Sequence, residues 1–292
     1  MNKIPESELI IDKRGAIYHL GVRPEELATI VILVGDPDRV PVVSKYFDSI
    51  EFKLQHREFI THTGYIGKKR ISVISTGIGP DNIDIAMNEV DALANIDFET
   101  RTIKPGLTSL KIFRFGTCGS LQADIPVDSL VAGTHGLGFD NVMHYYRQPC
   151  NAAEQEIIND FADHTGLSGN VVPYIFTGSA DLLNLFEKDY YTGITVGCPG
   201  FYGPQGRILR LPLAYPGLIE KLTSFRSGSH RISNFEMESS AIYGLGRALG
   251  HHCLSLNVIV ANRVLQQFSK DGGAAVEKLI KTSLQKITAS DL

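Results

Sequence analysis

The chain has 292 residues, 43% of them hydrophobic and 21% charged, with a formal net charge of -4. That length buries one large α/β core, and the negative balance excludes bulk attraction to nucleic acid or to an anionic membrane, so any phosphate site must be local. Cys118, Cys150, Cys198 and Cys253 form no CxxC pair, which argues against a zinc site or a disulfide framework and fits a reducing cytosol.

Met1 to Lys13 mixes charges, and no stretch approaches the roughly 20 apolar residues of a membrane span; a soluble, cytoplasmic protein is expected. Short apolar runs rich in β-branched residues then recur at Thr29 to Val34, Arg70 to Ser75, Lys111 to Phe115, Ser129 to Ala132, Val171 to Phe176 and Ser255 to Val260, and these read as buried strands. Three segments carry the three-and-four spacing of an amphipathic helix: Ile83 to Ala94, Ala241 to Leu249 and Val276 to Ile287. Strands alternating with such helices predict a mixed or parallel sheet covered on both faces. Asp97 to Ser109 and Cys198 to Pro216, the latter with four prolines and three glycines, read as long loops of the kind that often serve function.

The chemistry-bearing segments follow the same order. The first strand runs into Gly35-Asp36-Pro37-Asp38-Arg39, where a glycine allows close approach of an anion and an arginine can fork onto its oxygens, or where a plain turn carries a solvated arginine. GxxxxGK[ST] and GxGxxG are both absent, so neither a nucleoside triphosphate nor NAD is expected. Arg114 stands inside an apolar strand that ends Gly116-Thr117-Cys118-Gly119-Ser120. A buried arginine needs an anion or an internal carboxylate, and the small residues after it expose N–H groups. Cys118 has no neighbouring base and reads as a packing residue. His19 and His56-Arg57-Glu58-Phe59 are ambiguous taken alone, and the consecutive pair His251-His252 cannot share a face, so no metal is expected. In Asn234-Phe235-Glu236-Met237-Glu238 two acids precede a helix; they either complement its dipole or accept the vicinal hydroxyls of a ribose.

Together these segments resemble the nucleoside phosphorylase and nucleosidase superfamily, and within it the uridine phosphorylase branch. The likeness runs from His19 to about Gln267 and rests on five motifs in the family's order: Gly35 to Arg39, His56 to Phe59, Ser75-Thr76-Gly77-Ile78-Gly79, Arg114 to Gly119 and Glu236 to Ser239. It implies one α/β domain over residues 1–292, a three-layer α/β/α fold around a mixed, barrel-like twisted sheet, with 1–17 as an N-terminal extension and 97–109 as an insertion. By this resemblance Gly35, Arg39, Arg114 and Thr117 hold phosphate, and Arg57 reaches it from a neighbouring subunit. Met237 and Glu238 hold ribose, with His19 of the neighbour at the 5′-hydroxyl. Gly119, Phe201, Gln205, Arg207 and Glu236 surround the base, Phe201 stacking on it. Arg114, Gln205, Arg207 and Glu238 carry the catalysis.

The branch is read from Phe201-Tyr202-Gly203-Pro204-Gln205-Gly206-Arg207, whose amide and guanidinium suit the carbonyl, N–H, carbonyl edge of uracil. Purine members resemble one another in a late Ser-Asp pair, and here the matching strand ends Val260-Ala261-Asn262-Arg263 without an acid. The expected reaction is reversible phosphorolysis of uridine to uracil and ribose 1-phosphate, in pyrimidine salvage. Phosphate is then a co-substrate, no cofactor is implied, and the smallest functional unit is a homodimer, with a hexamer as the larger assembly. Some relatives hold a monovalent cation, K+, at a subunit interface, and Glu58 and Ser75 are the matching positions. A purine nucleoside phosphorylase, a nucleosidase and a non-catalytic nucleoside-binding protein are the rival readings.

Overall fold

The computed structural model describes residues 3–147, 150–167, 169 and 171–292. The first two residues of the expected extension, Met1 and Asn2, lie outside that set. In chain order the elements are β1 (Ile30–Val34), α1 (Arg39–Ser44), β2 (Ser49–His56), β3 (Phe59–Ile66), β4 (Lys69–Ser75), α2 (Pro80–Asn95), β5 (Ile96–Asp97), β6 (Thr102–Ile103) and β7 (Lys111–Ser120). There follow β8 (Leu130–Gly138), α3 (Ala152–Thr165), β9 (Tyr174–Thr177), α4 (Ala180–Leu183), β10 (Tyr191–Gly197), α5 (Leu218–Ser224), β11 (Arg226–Ser227), β12 (His230–Glu236), α6 (Ser239–Leu249), β13 (His252–Asn262), β14 (Gln267–Phe268) and α7 (Gly272–Ala289).

Twelve strands form one sheet in the order β11-β12-β10-β8-β13-β7-β1-β4-β3-β2, with β9 on β8 and β14 on β13. The sheet closes on itself because β7, already parallel to β13, also pairs antiparallel with β12 through Asn234↔Ser120 and Phe235↔Gly119. Strands β7, β12, β10, β8 and β13 therefore make a ring, the barrel-like mixed sheet that the family resemblance implies. Apolar residues on the two faces of β1 and β4 enter different cores. Val31, Leu33 and Ile74 join Ile83, Met87 and Val90 of α2 and Ile242 and Tyr243 of α6. Ile32, Val34 and Val73 join Val40 of α1 and Leu279, Ile280 and Leu284 of α7. A third core packs Ile157 and Phe161 of α3 and Leu222 of α5 against Ile194, Val196 and Ile232. The strand faces so covered explain the unbroken apolar runs of the sequence.

Several elements depart from their expected bounds. β8 continues from Leu130 to Gly138 through Gly133-Thr134-His135-Gly136-Leu137-Gly138, a composition that argues against a strand. The glycines mark close contact: a Cβ on Gly136 would lie 2.8 Å from Ser240 Cα of α6, and one on Gly138 would lie 2.3 Å from the Tyr174 ring. β7 likewise runs on past the apolar run Lys111 to Phe115, through Gly116 to Ser120, because β13 pairs with it as far as Asn262. Val171 to Phe176 shortens to start at Tyr174. His56-Arg57-Glu58 proves to be the tip of the β2–β3 hairpin, with Arg57 at φ 55°. The hairpin escaped the sequence reading because β2 lies at the sheet edge and is largely exposed.

The segment after α2 folds into the small β5–β6 hairpin, with Arg101 at φ 58°. Its guanidinium donates to the carbonyls of Ile4 (3.0 Å), Pro5 (3.1 Å) and Leu9, while its own carbonyl accepts from Ile4 N–H (2.8 Å). Beyond this clamp Leu9, Ile17, Leu20 and Val22 are buried in the core with α2. The N-terminal arm is therefore built into the fold. Among the described residues no helix is long and apolar enough to cross a membrane.

Arg101→Ala removes charge-assisted bonds of about 1.5–3 kcal/mol in sum. It should lower stability by about that amount and raise amide exchange selectively in residues 4–17, as read by denaturant titration and hydrogen exchange. Uniform exchange across the chain would show that the clamp is dispensable.

Candidate active site

The carboxyl ends of β1 and β7 lie side by side, with Leu33 level with Arg114, and place three of the expected residues together. Arg114 is buried in strand β7. Its side chain folds back over Gly116, where an added Cβ would sit 1.5 Å from Nη1; with only a hydrogen there, the guanidinium can lie along the strand. Nη1 donates to Asn257 Oδ1 (2.8 Å), Nε lies 3.3 Å from Glu236 Oε2, and Nη2 donates to Glu238 Oε2. Burial works against the charge, but Glu238 and Glu236 more than reverse it, so Arg114 stays protonated. Of the two alternatives weighed for a strand arginine, the internal carboxylate is the one present here.

Arg39 begins α1 and turns toward the same strand end, its Nη1 donating to Phe115 O (3.2 Å). Burial, and next the Arg114 charge, depress its pKa. Two cations therefore stand close together, and among the described residues no ion pair engages Arg39. Gly35 packs beside the Gly77 carbonyl. Thr117, three residues beyond Arg114 in β7, is half-buried.

The two acids have unequal surroundings. Glu236, at the end of β12, accepts from Glu238 N–H (3.0 Å) and Ser239 N–H (3.0 Å), capping the first turn of α6. Burial pushes its pKa up to about 7, with Arg114 opposing and Glu238 adding to the rise. Glu238 accepts from Gly79 N–H (2.8 Å) through Oε1 and from Arg114 through Oε2. Each oxygen keeps a second lone pair for a hydroxyl donor. Met237, between them, is half-buried.

The loop from Cys198 to Pro216 forms the next wall. A short 3-10 turn, Gly203–Gln205, holds Pro204 in its first turn and buries Gln205. Gln205 Nε2 faces Glu236 O (3.5 Å), and its Oε1 accepts from Arg207 Nη1 (2.5 Å), which also donates to Phe201 O (2.7 Å). The Arg207 guanidinium covers the half-exposed Phe201 ring, 3.7 Å from its centroid. Burial, then the charge of Arg263, lowers Arg207 to about 10. Arg263 Nη1 donates to Gln205 O (2.9 Å), and Gly119 packs against Phe235 and Arg263. Gln205, Arg207, Phe201, Gly119 and Glu236 are thus one cluster, linked to the arginine corner through Glu236.

His19 and Arg57 fall elsewhere. His19 is joined to Glu89 of α2, with Nδ1 2.6 Å from its carboxylate. His56 Nδ1 donates to the His19 carbonyl (2.9 Å), and Arg57 lies over the Tyr18 ring, 5.3 Å from its centroid, with Nη2 3.2 Å from the hydroxyl. No hydrogen bond or ion pair among the described residues links this exposed cluster to Arg39, Arg114 or Glu238. Ser75 Oγ accepts from Ile60 N–H (2.7 Å) and donates to Glu58 O (2.6 Å) inside the hairpin. No group of three or more metal-binding side chains was found among the described residues.

Cys118 is buried and donates to Val258 O (3.6 Å), and burial raises its thiol pKa, so it packs and does not react. Sequence reasoning missed Asn257 and Arg263 as parts of the site, and it named Gly116 and Gly79 only within motifs, without a role of their own. Asn257, a polar residue in an apolar strand, carried the same signal as Arg114. The part played by Gly79 N–H needed the fold.

The Glu236 environment sets a pH dependence. Its folded pKa lies above the unfolded value, so the protonated form is favoured by folding, and that contribution fades as pH rises from about 4.5 through about 7. Denaturation at pH 5 and pH 8 should show the wild type losing stability relative to Glu236→Gln as pH increases; parallel curves would contradict the assignment.

The chain as a whole is similar to known proteins. The family described as the phosphorylase superfamily matches residues 29–287. A uridine phosphorylase of Thermococcus kodakarensis is 28% identical over 278 residues, 93% of this chain and 87% of its own. The uridine phosphorylase of Escherichia coli is 25% identical over 260 residues, 86% and 88% of the two chains. Among solved structures, a Trypanosoma brucei nucleoside phosphorylase described as showing uridine phosphorylase activity superposes with a TM-score of 0.90 at 31% identity, covering 97% of this chain and all of that one. With the barrel, the arginine corner and the family match in agreement, the chain belongs to the phosphorylase superfamily.

Proposed function

We propose that the chain catalyses the reversible phosphorolysis of uridine to uracil and ribose 1-phosphate. The observation that carries the reading is Arg39 beside Arg114, with carboxylates ion-paired to Arg114 and, among the described residues, none ion-paired to Arg39. A dianion between the two relieves their repulsion, and inorganic phosphate fits that role. The uridine phosphorylases among the relatives support the substrate.

In this reading Gly35, Arg39, Arg114 and Thr117 orient phosphate against C1′, so that rate comes from positioning and electrostatics without a protein nucleophile. Glu238 accepts the ribose hydroxyls beside Met237. Gln205 and Arg207, already hydrogen-bonded to each other, stabilise charge on the departing uracil, with Phe201, Gly119 and Glu236 around the ring. Asn262 weighs against a purine: its Nδ2 donates to Gln122 O (2.9 Å) and Ile125 O (2.9 Å), and its Oδ1 accepts from Val264 and Leu265 N–H. The amide is fully used in shaping a turn and offers no proton to a purine N7.

The outward cluster of Tyr18, His19, His56 and Arg57 supports a homodimer as the smallest active unit, each protomer lending His19 to the 5′-hydroxyl and Arg57 to the phosphate of the other. A hexamer of such dimers, a K+ near Glu58 and Ser75, and a cytoplasmic setting belong to the same proposal.

Incubation with uridine, thymidine and inosine, with and without phosphate, should release uracil only when phosphate is present. Release in its absence would favour a nucleosidase, and preference for inosine would overturn the pyrimidine reading. Arg39→Ala is a cleaner probe than removal of Arg114, which would leave two buried carboxylates facing each other at a cost of about 3–5 kcal/mol. It should lower kcat/KM about 100-fold or more with a raised KM for phosphate, and ordinary phosphate kinetics would refute the site. Arg207→Ala should erode selectivity among nucleosides by about tenfold; an unchanged preference would remove Arg207 from the base subsite.

A further inference from the structure

The N-terminal arm reaches His19 with unusual definition. Arg101 clamps residues 4–9, Arg14 pairs with the buried Glu26 (2.7 Å), and Gly21 packs against His56. At the end of the arm one carboxylate, seventy residues away in sequence, gathers three donors. Glu89 accepts from His19 N–H (3.0 and 3.1 Å), from Leu20 N–H (2.8 Å) and from His19 Nδ1 (2.6 Å). The Glu89 side chain is 12% exposed and that of His19 28% exposed, so acid and backbone are enclosed while part of the imidazole faces outward.

From this geometry we infer that Glu89 is a positioning residue for the reaction: it fixes the ring orientation and tautomer of His19 so that Nε2 is presented as the group that meets the ribose 5′-hydroxyl. The inference rests on the reading of His19 given under the proposed function. A carboxylate can only accept, so the proton shared with it resides on Nδ1, and Nε2 is left as the ring nitrogen open to the hydroxyl. The backbone bonds to the same carboxylate fix the Cα of His19 as well as its ring, which removes rotamer freedom before substrate arrives. Nothing in Glu89 touches the scissile bond, and its effect passes through His19 alone.

The test compares uridine with 5′-deoxyuridine, which lacks the hydroxyl, for His19→Ala, Glu89→Ala, Glu89→Gln and the double alanine variant. One hydrogen bond to substrate corresponds to about a tenfold change in kcat/KM. Glu89→Ala should lose about tenfold more on uridine than on 5′-deoxyuridine. Glu89→Gln, which keeps an acceptor for the backbone, should show a smaller loss with the same selectivity. The double variant should lose no more on uridine than His19→Ala does. If His19→Ala shows the selectivity and Glu89→Ala does not, or if the two losses add, the role of Glu89 is overturned while the ribose assignment of His19 stands. If His19→Ala itself fails to distinguish the two substrates, the ribose assignment falls and the role of Glu89 with it. Equal losses on both substrates together with a drop in Tm would show Glu89 to be structural only.

Discussion

A protonated arginine held inside a strand, between two carboxylates and an amide, is the constraint around which the site is organised. Arg114 costs several kcal/mol to bury, and that cost is offset only because Glu236, Glu238 and Asn257 converge on it from the end of β12, the start of α6 and the adjacent strand β13. The barrel brings these four residues within reach. β7 must touch both β13 and β12, which is the closure seen in the sheet. Gly116 is the local requirement, since any side chain there would occupy the volume of the guanidinium.

The same closure links the two halves of the cleft. Glu236 contacts Arg114 with its side chain and Gln205 with its backbone carbonyl, so the arginine corner and the loop from Cys198 to Pro216 share one residue. Charge is graded across that distance: Arg39 and Arg114 are close together, Glu236 is pushed toward neutrality by burial, and Arg207 and Arg263 form a second cationic pair held to the loop backbone and near the Phe235 ring. A substrate with an anion at one end and carbonyl acceptors at the other matches this order. The loop from Cys198 to Pro216, with little regular structure, is held by those arginine-to-carbonyl bonds.

The glycine-rich stretch of β8 and the N-terminal arm show how packing decides secondary structure. Gly136 and Gly138 weaken the intrinsic preference for a strand, yet α6 and Tyr174 need their missing side chains. The arm, polar and irregular in sequence, becomes ordered because α2 and the β5–β6 hairpin provide an acid and an arginine to bind its backbone. Local propensity predicts neither outcome.

The alternation of β-branched runs with amphipathic helices determined the α/β class and the position of β1, β4, β13, α2, α6 and α7, because burial on both faces leaves a periodic apolar trace in the chain. The arginine of β7 was legible for a related reason, since a charged residue in an apolar run is costly and so stands out, whereas the acids before α6 were marked by their place at a helix start and the Gln-Arg loop by its family resemblance. The sheet order, the ring closure and the edge hairpin β2–β3 were not legible, since pairing between distant strands is set by contacts that leave no local pattern. Tertiary structure alone decided that Arg114 is met by carboxylates, that Gly79 N–H anchors Glu238, that His19 and Arg57 share an outer cluster apart from the arginine corner, and that Glu89 holds His19. Each joins residues far apart in the chain, where hydrogen-bond geometry and not composition selects the partner.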